Sequence, residues 1–169
     1  ATASIPGYDL ARVAGRQGVP ADLRGRVAAR LALKGAARAP RGDAAVDFTD
    51  GALAGYAPLE VHLGAAAAPA ATRLEARLAL GGEELARLAA SLALPVERLG
   101  DAAAREAAAA RARLDVPGAD LRRAGAAVPL AGTVDGWAEL GGTLAAPALA
   151  VELKGRRLLA SEVPLGDLA

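Results

Sequence analysis

Apolar and polar residues alternate along most of this chain with a period of two, the pattern of strands that turn one face to an apolar surface and the other to water. Val27, Ala29, Leu31 and Leu33 interleave with Arg26, Ala28, Arg30 and Lys34, and Leu74, Ala76, Leu78 and Leu80 with Arg73, Glu75 and Arg77. The rhythm recurs at Val46 and Phe48 around Asp47, and at Leu59, Val61 and Leu63 around Glu60 and His62. It returns at Val134, Gly136, Ala138 and Leu140 around Asp135 and Glu139, and at Leu149, Val151 and Leu153 around Ala150 and Glu152. Turn-forming residues separate these runs at short intervals: Gly35, Pro40 to Gly42, Asp50-Gly51, Gly55, Pro69, Gly81-Gly82, Gly141-Gly142, Pro147 and Gly155. The pattern predicts an antiparallel meander.

Two short stretches carry helical spacing instead. Leu85, Leu88, Ala89 and Leu92 follow Gly81-Gly82, and Leu10, Val13 and Ala14 follow Pro6-Gly7; each stretch stops before a proline. Both are expected as short helices across one mouth of the sheet. They also belong to an internal echo. Asp9-Leu10-Ala11-Arg12-Val13-Ala14, then Val19-Pro20 and Gly25, is matched without a gap by Glu84-Leu85-Ala86-Arg87-Leu88-Ala89, then Leu94-Pro95 and Gly100. The period is roughly 75 residues, and a shorter copy follows at Asp120-Leu121-Arg122, Pro129 and Gly132. The echo predicts a repeat array with units 9–83, 84–119 and 120–169, in which 25–33 and 132–140 are equivalent strands. The Ala-rich stretch 101–114 prefers helix intrinsically, but its place in the repeat assigns it to strand.

Composition changes what the apolar faces mean. Hydrophobic residues make up 53% of the 169, yet aromatics are only 2% and Met is absent, so the apolar fraction is mostly Ala, Leu and Val. Side chains this small fill a closed interior poorly. An apolar surface completed by something other than protein suits them better. The net charge of +1 supplies no field to recruit nucleic acid. The lack of Cys removes disulfide and thiolate chemistry and fits an oxidising envelope compartment or the cytosol equally. No apolar run approaches the roughly 20 residues of a membrane-spanning helix, and no signal peptide opens the chain. With Ala1 first and no Met, the chain reads as a mature or internal piece of a longer protein.

Leu130-Ala131-Gly132-Thr133-Val134, Leu140-Gly141-Gly142-Thr143-Leu144-Ala145-Ala146-Pro147-Ala148-Leu149, Val151-Glu152-Leu153-Lys154-Gly155 and Pro164-Leu165-Gly166-Asp167-Leu168 form a phrase with a G-x-L-x-x-P-x-L rhythm. Over residues 130–169, and more loosely over 23–64, it resembles the repeats of the TamB family, the inner-membrane subunit of the translocation and assembly module among AsmA-like and bridge-like lipid-transfer proteins. The resemblance implies a long sheet folded along its length into a hydrophobic groove, the β-taco, crossing the periplasm of a diderm bacterium. It further implies movement of phospholipids towards the outer membrane and partnership with an Omp85-type barrel in outer-membrane biogenesis. The family's N-terminal anchor and C-terminal barrel-binding region have no match here, so the resemblance is to an internal segment of a parent protein anchored in the inner membrane.

No catalytic constellation emerges. His62 is the single histidine and falls on the polar side of its strand. Ser4, Ser91 and Ser161 lack a nucleophile-elbow context. Asp43, Asp47 and Asp50 read as cap and turn residues rather than metal ligands, and Gly141-Gly142-Thr143 opens no helix that could cradle phosphate. Arg105, Arg111, Arg113, Arg122 and Arg123 form a loose basic group read as a solvated face, with lipid headgroups or nucleic acid as the alternative. Trp137 shares the side of Asp135 and Glu139, where it caps an edge, packs under a helix or marks an interface.

These readings converge on a mainly β chain: a curved antiparallel sheet of repeated hairpins forming an open hydrophobic groove, with one or two short helices at its rim. About ten strands at 4.7 to 4.9 Å spacing give a segment on the order of 45 Å long. The expected floor, in contact with phospholipid acyl chains, is Leu31, Val46, Phe48, Val61, Leu78, Val134, Leu140, Val151 and Leu153. No enzyme activity, metal, cofactor or nucleic-acid partner is expected. Two rivals stand beside this reading: a closed β-sandwich that docks envelope proteins, and an Ala-rich helical protein that binds membranes or other helices.

Overall fold

A computed structural model of the chain describes residues 1–16, 23–36, 40–53, 56–120, 122, 130–160 and 163–168. Ten strands account for most of it: β1 (Thr2–Asp9), β2 (Arg24–Lys34), β3 (Arg41–Leu53), β4 (Tyr56–Ala68), β5 (Ala71–Leu80), β6 (Glu83–Leu92), β7 (Ala110–Asp120), β8 (Leu130–Gly142), β9 (Pro147–Ala160) and β10 (Val163–Leu168). They form one open sheet in sequence order, every neighbouring pair antiparallel. Among the described residues the only other regular elements are a six-residue helix α1 (Ala102–Ala107) and 3-10 turns at Leu10–Arg12 and Val96–Arg98. The meander predicted from the alternation is therefore the architecture found.

Three local expectations need correction. The stretch from Leu85 to Leu92 is not a helix but part of β6. Gly81 and Gly82 both have positive φ, 61° and 81°, which closes a two-residue hairpin between Leu80 and Glu83 and launches a paired strand. Once paired, the alternation of Leu88, Ala90 and Leu92 with Arg87, Ala89 and Ser91 decides the conformation. The helix expected over residues 10–14 shrinks to a 3-10 turn, capped by Asp9 Oδ1 accepting the Ala11 N–H at 2.9 Å. The stretch 101–114, assigned to strand, divides: Asp101 Oδ1 accepts the Ala104 N–H at 3.1 Å and starts α1, and β7 begins at Ala110.

The two echoing stretches consequently differ in conformation, one a 3-10 turn and the other the body of β6. Val19 and Pro20 of the first copy, and Leu121 and Pro129 of the third, lie outside the described residues. Residues 25–33 and 132–140 are both strand, as expected, within β2 and β8. Their leading glycines share an unusual backbone, φ 130° at Gly25 and 113° at Gly132, each at a register irregularity. Asp43 and Asp47, read as turn and cap residues, stand instead within β3, as does Gly51; Gly155 lies inside β9.

Burial is sparse. Among the described residues the buried hydrophobics are Leu80, Leu94, Ala108 and Ala110. The accessible surface is 10900 Å² for a 16.8 kDa chain, whereas a compact monomer of that mass exposes roughly 7,700 Å². The excess is that of a single layer. Local contacts brace it. The Phe48 ring lies over Gly25 and Gly51, both buried, and a Cβ on either would collide with the ring, an aromatic covering glycines that would otherwise weaken their strands. The connector 93–109 folds back at one end of the sheet: the Thr72 hydroxyl donates to the Leu94 carbonyl at 3.0 Å, and the Ala145 N–H to the Glu106 carbonyl at 3.0 Å.

Candidate functional site: the apolar face

Because side chains alternate between faces of a strand, the register of each pair decides which residues meet. One row runs from Ile5 through Ala29, Val46, Leu63 and Ala76, and continues through Leu88, Leu114, Ala138 and Val151. A parallel row runs from Ala3 through Leu31, Ala44, Ala65 and Leu74 to Ala90, Ala112, Leu140 and Leu149. A third holds Tyr8, Val27, Phe48, Val61, Leu78 and Ala86, and Val116, Gly136 and Leu153 lie on the same face beyond it. All nine expected floor residues lie on this one face: Leu31, Val46, Phe48, Val61, Leu78, Val134, Leu140, Val151 and Leu153.

Nothing described covers the face. Val46 is 37% exposed and Leu63 41%, rising to 61% at Val151 and 68% at Leu149. Contiguous apolar surface of this extent exceeds what isolated exposed hydrophobics leave on a typical folded monomer. Leu63, Leu74, Leu88 and Leu114 belong to the rows although the expected set omitted them. Leu88 falls outside that set because helical spacing claims its stretch, although the alternation of Leu88, Ala90 and Leu92 with Arg87 and Ser91 is a strand signal.

The opposite face is charged. Across it Asp47, His62, Arg77 and Arg87 are followed by Asp115, Trp137 and Glu152. His62 Nδ1 is hydrogen-bonded to Asp47 Oδ1, and both side chains are partly exposed. Trp137 stands on an interior strand and so caps no edge; its ring lies 5.2 Å from the Arg113 guanidinium, and its Nε1 donates to Glu152 Oε2 at 3.1 Å. Lys154, then the Trp137 N–H, hold the Glu152 carboxyl below its ordinary pKa, and Glu152 raises that of Lys154. The basic group is dispersed: Arg105 donates to the Leu99 carbonyl at 2.8 Å, Arg113 pairs with Asp115 and Glu139, and Arg111 stands opposite Ser91. Arg122 lies just after β7, and Arg123 outside the described residues.

Among the described residues no three His, Asp or Glu side chains gather where they could hold a metal ion, and no helix is long and apolar enough to cross a membrane. Set against known proteins, the chain matches no family model, no curated protein and no solved structure. Its site is therefore defined by its own geometry, an amphipathic one-layer sheet with an apolar face unpartnered by any described residue.

Proposed function

We propose that this chain is a segment of a hydrophobic conduit that shields phospholipid acyl chains and lets them pass between the inner and outer membranes of a diderm cell envelope. The single observation that supports this most is the set of apolar rows, two of which cross nine strands without a charged side chain while the reverse face is charged. An acyl chain laid along a row gains about 0.8 kcal/mol per methylene removed from water, and it meets the same kind of surface at every step, so sliding costs little. In this reading the sheet curls about its apolar face into an open groove, acyl chains occupy the floor and headgroups stay in water at the seam. The residues do no covalent chemistry. The resemblance of residues 130–169 to TamB repeats supports the same setting: a periplasmic segment of a parent anchored in the inner membrane, working with an Omp85-type barrel in outer-membrane biogenesis.

Photo-crosslinking groups at Leu31, Val46, Val61, Leu140 and Val151 are expected to capture phospholipid, and groups at Arg30, Glu75 and Glu152 to capture none. Equal capture at both sets overturns the orientation. Absence of lipid at either, together with a stable oligomer, favours the closed docking module, whose second layer would come from another chain.

A further inference from the structure

At the strand ends away from the connector, β7, β8 and β9 frame a cavity of about 300 Å³ lined by Asp120, Arg122, Thr133, Arg156 and Arg157, with Gly132 and Leu159. Asp120, Thr133 and Arg156 are direct cross-strand neighbours on the charged face. The backbone here is held in an unusual shape. Arg157 has φ 50°, a left-handed conformation rare for a residue with a side chain, and Gly132, with φ 113°, passes so close that a Cβ would stand 2.7 Å from the Arg156 and Arg157 carbonyl oxygens. The Arg157 N–H is captured by Asp167 Oδ1 at 2.7 Å, and the Arg122 N–H by Asp120 Oδ1 at 3.0 Å.

These contacts engage two nearby carboxylates through the backbone and leave the guanidinium groups open. Among the described residues the side chains of Arg122 and Arg157 make no ion pair or hydrogen bond, and Arg156 reaches only Asp135, at 4.0 Å. Elsewhere Arg87, Arg98 and Arg113 are paired at 2.9 to 3.4 Å, while Arg26, Arg30, Arg73, Arg77 and Arg111 have no described side-chain partner either; what sets this group apart is that three arginines line one cavity beside a fixed backbone. A strained backbone that other elements hold in place is a recurrent mark of a binding site. Guanidinium forks match the oxygens of a phosphate two at a time, and the Thr133 hydroxyl adds a donor. With Asp120, Asp135 and Asp167 close by, the neighbourhood is near neutral, so selection rests on directed hydrogen bonds rather than on long-range attraction.

We infer that Arg122, Arg156, Arg157 and Thr133 form a phosphate-binding site at the rim of the sheet. Resting on the conduit reading, the phosphate is that of a phospholipid headgroup held at the rim, with its tails passing round the strand ends onto the apolar face; without that reading it is a free phosphate or phosphomonoester.

The test titrates the chain with inorganic phosphate, glycerol 3-phosphate and dihexanoyl phosphatidylglycerol, following the backbone amide resonances of Gly132 and Thr133. All three probes are expected to shift them, the short-chain lipid at the lowest concentration, and R156Q/R157Q is expected to weaken binding about tenfold or more. R156K/R157K should retain part of the affinity, which shows that the bulge tolerates substitution, and R73Q/R111Q, on the same face but away from the cavity, should change nothing. Unmoved amides in the native chain, or an equal loss in R73Q/R111Q, overturns the site. Capture of diacylglycerol, which has no phosphate, at a photo-crosslinker on Val151 reports on the groove separately. Diacylglycerol captured with phosphate ignored removes this inference and leaves the conduit; phosphate bound with no acyl capture upholds the site as one for free phosphate and removes the conduit.

Discussion

The connector 93–109 and strand β9 are built from similar side chains and end in opposite surroundings. Leu94 and Ala108 in the connector are 4% and 7% exposed, whereas Leu149 and Val151 on β9 are 68% and 61% exposed. The connector achieves burial by folding back on the sheet, tied by Thr72 and by the turn after β8. No described residue covers β9 in this way, and β10 pairs only with its second half. Cohesion in this chain therefore has two sources: local burial, at Leu94, Ala108 and Ala110 around the connector and at Leu80 by the opposite strand ends, and backbone pairing with cross-strand contacts everywhere else. A single-layer sheet tolerates changes on its open face and is sensitive where strands approach closely.

The largest effect is expected at a close approach. Gly25→Val places a branched side chain at φ 130°, against the Phe48 ring and 3.0 Å from the Thr49 carbonyl, and should cost about 3 kcal/mol or more. Urea unfolding measures it; a midpoint within error of the native chain removes Phe48 and Gly25 as a brace. Next comes the direct comparison of the two regions. Leu94→Ala should destabilise by about 2 to 4 kcal/mol, and Leu149→Ala by no more than about 0.5 kcal/mol. Equal losses would mean that the exposed face is covered in solution.

Val151→Asp should lie close to the native chain in stability, because an aspartate at an open position keeps its water, yet it should abolish acyl capture by placing a charge in the path. Glu75→Asp, on the reverse face, should leave both unchanged. In cells whose only copy of the full-length parent carries the Val151 substitution, normal protein level with a normal envelope would defeat the conduit reading. The smallest effect is a titration. The Ala104 N–H, then Arg98, lower the pKa of Asp101, so its cap on α1 is present above the ordinary carboxylate pKa and is lost as pH falls through the lowered value. The protection of the Ala104 and Arg105 amides, relative to their intrinsic exchange at each pH, should therefore fall on acidification below the usual aspartate range; Asp101→Asn, which keeps a capping oxygen without a charge, should flatten that dependence.

Much of the fold and the face assignment was legible because strand parity needs no knowledge of partners. Within β3, Val46 and Phe48 fall on one face and Asp47 on the other whatever the register, as Val61 and His62 do within β4; the register between the two strands then sets Phe48 beside Val61. Parity fails where two periods compete: Leu85, Leu88, Ala89 and Leu92 satisfy helical spacing, while Leu88, Ala90 and Leu92 also satisfy a strand. The two-glycine turn before them decides between these. The echo misled for the same reason, since six similar residues become a 3-10 turn after β1 and a strand after β5. The arginine cavity was illegible because Arg122 follows β7 while Arg156 and Arg157 lie in β9, and they meet only through the pairing of β7, β8 and β9.

What the chain's own alternation determined is an amphipathic, mainly β protein with small apolar side chains on one face, because side-chain direction along a strand is local geometry. What only the tertiary structure decided is that these faces join into continuous rows, that α1 forms and β6 does not coil, and that three arginines share a cavity. The rows and the cavity depend on hydrogen bonds between residues distant in sequence, whereas α1 and β6 turn on the Asp101 cap and the two-glycine turn within the context of those pairings; a shift of a single residue in any pair would have sent the same side chains to the other face.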